Sequence, residues 1–141
     1  MKLVQINEML WVAPQIDPDD FATLKERGFT AVVNNRPDGE EPGQPTAAEA
    51  AATAASLGLA YSHLPFAGYG FDEAFVRQHQ AALTAQPGPV VAHCRSGTRS
   101  LTIWAIGEVL DGRMAIEEVD AFGQSYGFDL SGVHRWFANQ P

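Results

Sequence analysis

The chain reads as an α/β domain: a mainly parallel central sheet flanked by helices on both faces, in three layers. Three observations predict this. Short apolar runs such as Thr30-Ala31-Val32-Val33-Asn34 and Pro89-Val90-Val91-Ala92-His93-Cys94 carry no charge, as strands covered on both faces require. Between them lie segments with helix-start and helix-stop residues, so strands and helices alternate. At 141 residues, with no linker and no internal repeat, the chain suits a single domain over 1–141 built on one core.

Met9 to Ala13 reads as the first strand and Pro14 to Asp17 as a break. Asp17 before Pro18 is an N-cap followed by proline at the first helical position, and Gly28 closes that helix. Thr30 to Asn34 is the next strand. Arg36 to Pro45, with three prolines and two glycines, is a long loop. Thr46 with Glu49 forms a capping box for an Ala-rich helix that stops at Gly58, and Leu59 to Phe66 is a strand. Asp72 caps a helix that presents Phe75, Val76, Ala82 and Leu83 on one face and ends before Pro87-Gly88. Pro89 to Cys94 is the most buried strand expected. Ser100 to Leu110 follows as a helix apolar nearly all round, and helical stretches near Ala115 to Phe122 and Leu130 to Asn139 complete the chain.

Composition restricts the partners. Seventeen acidic residues against nine Lys and Arg give a formal net charge of −8, which repels nucleic acid and anionic membranes; neither is expected as a partner. No stretch has the roughly 18 consecutive apolar residues of a membrane span. Glu8 follows closely on a polar start, unlike a secretory signal, so a cytoplasmic location is expected. A single cysteine forms no intramolecular disulfide, which suits a reducing compartment.

That cysteine is the centre of the functional reading. Cys94 ends a buried strand, and Arg95-Ser96-Gly97-Thr98-Arg99 turns tightly into a helix. A thiol at such a turn meets unpaired N–H groups and the positive end of the helix dipole, both of which stabilise a thiolate. Gly97 permits backbone angles that let successive N–H groups of Arg95, Ser96, Gly97 and Thr98 converge on one anion. Arg99 adds a planar fork for two oxygens. Ser100 can hydrogen-bond the sulfur or the loop, and His93 can brace the loop from behind. A purely structural turn has no need of two arginines, a glycine and three hydroxyl residues within seven positions. By contrast, His63, His79 and His134 lack ligand spacing, with His79 on the apolar face of its helix. Asp17, Asp19 and Asp20 read as helix-start charges, and Trp104 and Trp136 as core. No metal and no organic cofactor is called for.

The segment His93-Cys94-Arg95-Ser96-Gly97-Thr98-Arg99-Ser100 resembles the active-site loop of two groups of cysteine enzymes, the rhodanese sulfurtransferases and the protein tyrosine or dual-specificity phosphatases. The order TAVVNNRPDGE (30–40), Ala-rich helix, AYSHLPF (60–66) resembles the dual-specificity phosphatase core. The whole chain resembles the bacterial family called beta-lactamase hydrolase-like, phosphatase-like domain, also catalogued as a sulfur transferase. The resemblance implies a dual-specificity phosphatase-like fold and a cysteine nucleophile.

Two departures separate the chain from the phosphatases it resembles. Those enzymes place five residues between cysteine and arginine; here four intervene, as in the compact rhodanese-like loop. They also carry an aspartate on the loop that here reads Ala67-Gly68-Tyr69-Gly70. Asp72 is the nearest carboxylate, a possible general acid whose simpler role is the helix cap. Lack of an acid forfeits the typical ~10²–10⁴-fold assistance to an alkoxide or aryloxide leaving group. The first expectation is therefore a sulfurtransferase that carries sulfane sulfur as a Cys94 persulfide, between a small donor and a thiol acceptor. The second is a phosphatase working through a Cys94 phosphocysteine. The third is a non-catalytic module that binds an oxyanion or reactive sulfur.

Overall fold

The structure, a computed structural model, describes every residue of the chain except Tyr69. Its strands are β1 (Val4–Gln5), β2 (Leu10–Ala13), β3 (Ala31–Asn34), β4 (Ala60–His63) and β5 (Val90–His93). Its helices are α1 (Phe21–Glu26), α2 (Ala47–Ser56), α3 (Glu73–Thr84), α4 (Thr98–Leu110), α5 (Val119–Ser125) and α6 (Ser131–Ala138). The strands form one sheet in the order β1-β2-β5-β3-β4; β1 runs antiparallel to β2, and every other pairing is parallel. The sheet is thus mainly parallel, as expected, with a two-residue antiparallel edge that its mixed composition did not announce.

Alternation along the central strands divides the core. Val12, Ala31, Val33, Val90 and Ala92 face α4 and its neighbours, packing with Leu101, Ile103, Ile106 and Trp136. Ala13, Val32 and Val91 face the other way, against Phe21 and Leu24 of α1 and Ala50 and Ala54 of α2. Three layers result because the charge-free strands have no face that could be left in water.

The Thr46 and Asp72 caps form, but of the Thr46–Glu49 capping box only the Thr46 half is made, and Asp17 does not cap with its side chain. Thr46 Oγ1 accepts from Glu49 N at 3.2 Å, and Asp72 Oδ1 accepts from Phe75 N at 2.9 Å. Asp17 occupies the N-cap position but its side chain makes no capping bond; the segment opens with a 3-10 turn over Pro18–Asp20, closed by Asp20 N donating to Asp17 O at 2.9 Å. The tighter turn brings the backbone carbonyl where a capping carboxylate would have served.

β5 lies between β2 and β3, so the loops leaving these three strands meet at one edge. Crevices at the carboxyl ends of parallel strands are where open α/β sheets bind ligands. Cys94, Asn35 and Gln15 all lie there, each within two residues of its strand's end.

Candidate active site

Cys94 follows β5 directly and is fully buried. The turn after it is held by Gln15 N donating to Arg95 O at 3.2 Å, and Gly97 takes a left-handed φ of 96° before α4 begins. That angle aims Gly97 N–H at Cys94 Sγ, 3.0 Å away. A Cβ here would be strained and would also meet Phe128 Cε1 at 3.1 Å, so glycine is required twice over. The rest of the turn is polar and outward. Arg95 leaves 65% of its side chain exposed, 3.6 Å from Glu41, and Ser96 Oγ donates to Thr98 Oγ1 at 3.2 Å.

Arg99 is held in a way the sequence did not reveal. Its Nη1 donates to Glu40 Oε2 at 2.8 Å and Nη2 to Glu40 Oε1 at 2.7 Å, a fork-to-fork pair, and Nη1 also reaches Phe66 O at 3.1 Å. Glu40, first, and the Cys94 sulfur, less strongly, push the guanidinium's pKa up against the opposing effect of burial. The fork expected to take an oxyanion thus already carries a carboxylate.

Arg36 is the second surprise. It is fully buried, with Nε donating to Glu40 Oε1 at 2.9 Å and Nη1 to Gln15 Oε1 at 3.0 Å; Nη2 lies 3.2 Å from Glu41 Oε1 without the alignment of a hydrogen bond. Hydrogen bonds from Arg99, then from Arg36, hold the Glu40 carboxyl at a pKa of about 2, although partial burial works the other way. The available signal was the polar run Asn34-Asn35-Arg36 at the end of a charge-free strand, the same station in the fold as Cys94.

Ser100 does not serve the sulfur. Its one hydroxyl proton goes to Asn35 Oδ1 at 2.7 Å, because Asn35 is buried beside it and its amide is fixed by Nδ2 donating to Leu64 O at 3.0 Å. His79 Nε2 donates to the same Oδ1 at 3.3 Å, while its Nδ1 has no partner among the described residues. The loop is therefore backed by a chain of neutral groups, with His79 in the core as its apolar helix face implied. His93 lies beneath the loop, its Nδ1 3.4 Å from Cys94 O. His63 Nε2 donates to Arg36 O at 2.8 Å, which places it in the scaffold of the β3 loop.

Burial drives the pKa of His79 to about 4, and that of His93 to about 4 with smaller contributions from Arg36 and His63 against the Cys94 carbonyl bond. Both stay neutral in the fold but titrate near 6.5 when unfolded. Their contribution to stability is complete above pH ~6.5 and is lost as pH falls toward 4, because the unfolded chain then binds protons that the native one refuses. The melting temperature should drop over that window, and His79→Gln, which keeps an N–H donor without titrating, should flatten the slope. An unchanged slope in that variant would remove His79 from the account.

Asp72, the possible general acid, belongs to the wall of a cleft of about 570 Å³ with Phe66, Phe71 and Phe75, its carboxylate engaged in the α3 cap. Tyr69 of the same loop lies outside the described residues. A second cavity, of about 370 Å³, adjoins Arg99 and holds two charged residues the sequence reading passed over, Asp129 and Arg135.

The family described as "Beta-lactamase hydrolase-like protein, phosphatase-like domain" matches residues 2–111. The chain belongs to this family. Beta-lactamase hydrolase-like proteins of Agrobacterium fabrum and Xylella fastidiosa are each 43% identical to it over 140 residues, covering 99% of this chain and 32% of the relative. The chain thus spans about a third of the length of these curated relatives. Among solved structures, a candidate phosphatase from Neisseria meningitidis is similar at TM-score 0.82 and 25% identity, over 97% of each chain. The core catalytic domain of a PP-IP phosphatase from S. cerevisiae, in complex with citrate, is similar at TM-score 0.69 and 12% identity, over 98% of this chain and 85% of that one. The phosphatase-like domain accordingly has the dual-specificity and protein tyrosine phosphatase-like α/β fold that its sequence order implied. No helix among the described residues is long and apolar enough to cross a membrane.

Proposed function

We propose that the phosphatase-like domain is a sulfurtransferase that carries sulfane sulfur on Cys94. The observation that carries this reading is the Glu40 carboxylate seated in the Arg99 fork at 2.7 and 2.8 Å. Beside the loop, the guanidiniums of Arg36, Arg95 and Arg99 are offset by Glu40 and Glu41, and the one remaining positive charge is matched by the thiolate that the proposed reaction requires. A phosphomonoester dianion would enter a site with no net positive charge to receive it, and a loop one residue short of the phosphatase length. Three of the nearby carboxyls are also poorly suited to supply a proton. Glu40 is ionised far below neutral pH, Asp129 is pulled below the ordinary carboxyl range by hydrogen bonds from Ser131, and Asp72 caps α3.

Sulfur transfer needs neither. The Cys94 thiolate attacks the outer sulfur of R–S–SH, a new S–S bond forms as the old one breaks, and R–S⁻ departs without a proton. Gly97 N–H, 3.0 Å from Cys94 Sγ, favours the thiolate that attacks in loading and leaves in unloading. The charge balance also favours a persulfide or polysulfide donor over the dianion thiosulfate. Incubation with glutathione persulfide should add one sulfur to Cys94, seen by intact mass and removed by cyanide. Cys94-dependent hydrolysis of an aryl phosphate with no such adduct would establish the phosphatase reading instead.

A further inference from the structure

We propose that the cavity beside Arg99 is the seat of the thiol that delivers or receives the sulfur, and that it takes a small zwitterionic thiol of the amino-acid type. The proposal rests on the sulfur-transfer reading. The cavity, of about 370 Å³, lies within the size range of small-molecule pockets. Thr98 and Arg99, which follow the Cys94 turn directly at the start of α4, both line this cavity, so a ligand here sits at the end of the loop that carries the proposed nucleophile.

The walls carry charges of both signs. Asp129, from the loop before α6, is exposed and ionised, its Oδ1 accepting from Ser131 N at 2.9 Å. Arg135, one turn into α6, donates from Nη1 to Ser131 Oγ at 3.0 Å, and its field reaches Asp129. Thr98 and Thr102, four apart and therefore on one face of α4, line the same space together with Phe66. An ammonium can pair with Asp129, and a carboxylate can join the groups that Arg135 already holds. A dianionic phosphate would instead face Asp129 with Glu40 behind Arg99. Gly132 keeps the floor open, since a Cβ there would come within 3.3 Å of Thr102 Cγ2 and 3.6 Å of Arg135 Nη2.

The transfer balances with this ligand alone. Loading converts R–S–SH and the Cys94 thiolate into Cys94–S–SH and R–S⁻; unloading is attack of a second R′–S⁻ on the outer sulfur, which gives R′–S–SH and restores the thiolate.

The test compares four donors on the full chain: the persulfides of cysteine, 3-mercaptopropionate, cysteamine and 2-mercaptoethanol. The zwitterion should exceed the neutral donor in kcat/KM by about tenfold or more, as expected for charge-assisted recognition. Asp129→Asn should erase the advantage given by the ammonium, and Arg135→Gln that given by the carboxylate. Equal kcat/KM for all four donors in the wild type, or a preference that Asp129→Asn leaves intact, overturns the proposal. If no donor loads Cys94, the sulfur reading fails, and unreactive S-methylcysteine judges the cavity by itself. Amide shifts at Thr98, Thr102 and Gly132 that Asp129→Asn abolishes would uphold it; their absence would overturn it.

Discussion

Cys94→Ser is expected to eliminate the persulfide adduct and to lower turnover of every donor by roughly 10³-fold or more, the scale seen when the nucleophile of a covalent mechanism is removed. The substitution changes one atom at a fully buried position that accepts a hydrogen bond from Gly97 N, so the fold should survive and the loss should be chemical. Arg99→Lys separates charge from shape. Lysine retains the positive charge but cannot match both oxygens of Glu40 or hold Phe66 O at the same time. A loss of about 10²-fold, with adduct still formed slowly, is the expected outcome. Arg95→Lys, at an exposed position tied only loosely to Glu41, should be close to wild type. Full activity in Arg99→Lys would assign that residue to structure alone.

Glu40→Gln should act in opposite directions on stability and on anion binding. Removing the charge leaves the buried Arg36 with a neutral amide, Gln15 and a misaligned Glu41, and breaking one side of a buried ion pair costs about 3–5 kcal/mol. Glu40 keeps about a quarter of its side chain in water, which reduces the expected loss to about 2–3 kcal/mol in urea unfolding. In an Arg36→Met background the same change should cost much less, and the difference measures the coupling. The pair also sets an acid limit. With its native pKa near 2, below the ordinary 4.5, Glu40 contributes its full stabilisation above about pH 4.5 and loses it as pH falls toward 2. Meanwhile the freed Arg99 fork should bind inorganic phosphate more tightly than wild type does. Unchanged stability together with unchanged phosphate affinity would show that Glu40 neither anchors Arg36 nor screens the site.

Local signals settled much of this protein. The charge-free strands, the Thr46 and Asp72 caps, and the abrupt passage from Val90-Val91-Ala92-His93 through a glycine turn into α4 are interactions between near neighbours, and each reads directly from residue order. The same locality placed Cys94, Gly97 and Arg99 in one loop, since a turn of five residues cannot carry them apart. What neighbours could not decide was what each polar group would meet across the sheet. Glu40 is 59 positions from Arg99 and Asn35 is 65 from Ser100, and only the insertion of β5 between β2 and β3 brings them within hydrogen-bond distance. That topology turned Arg36 inward to be neutralised by Glu40, drew the Ser100 proton to Asn35, and set Asp129 and Arg135 beside Arg99. The residue proposed as nucleophile is therefore named by the chain itself. The charge it works in follows from long-range pairing, because an ion pair is fixed by distance in space and not by distance along the sequence.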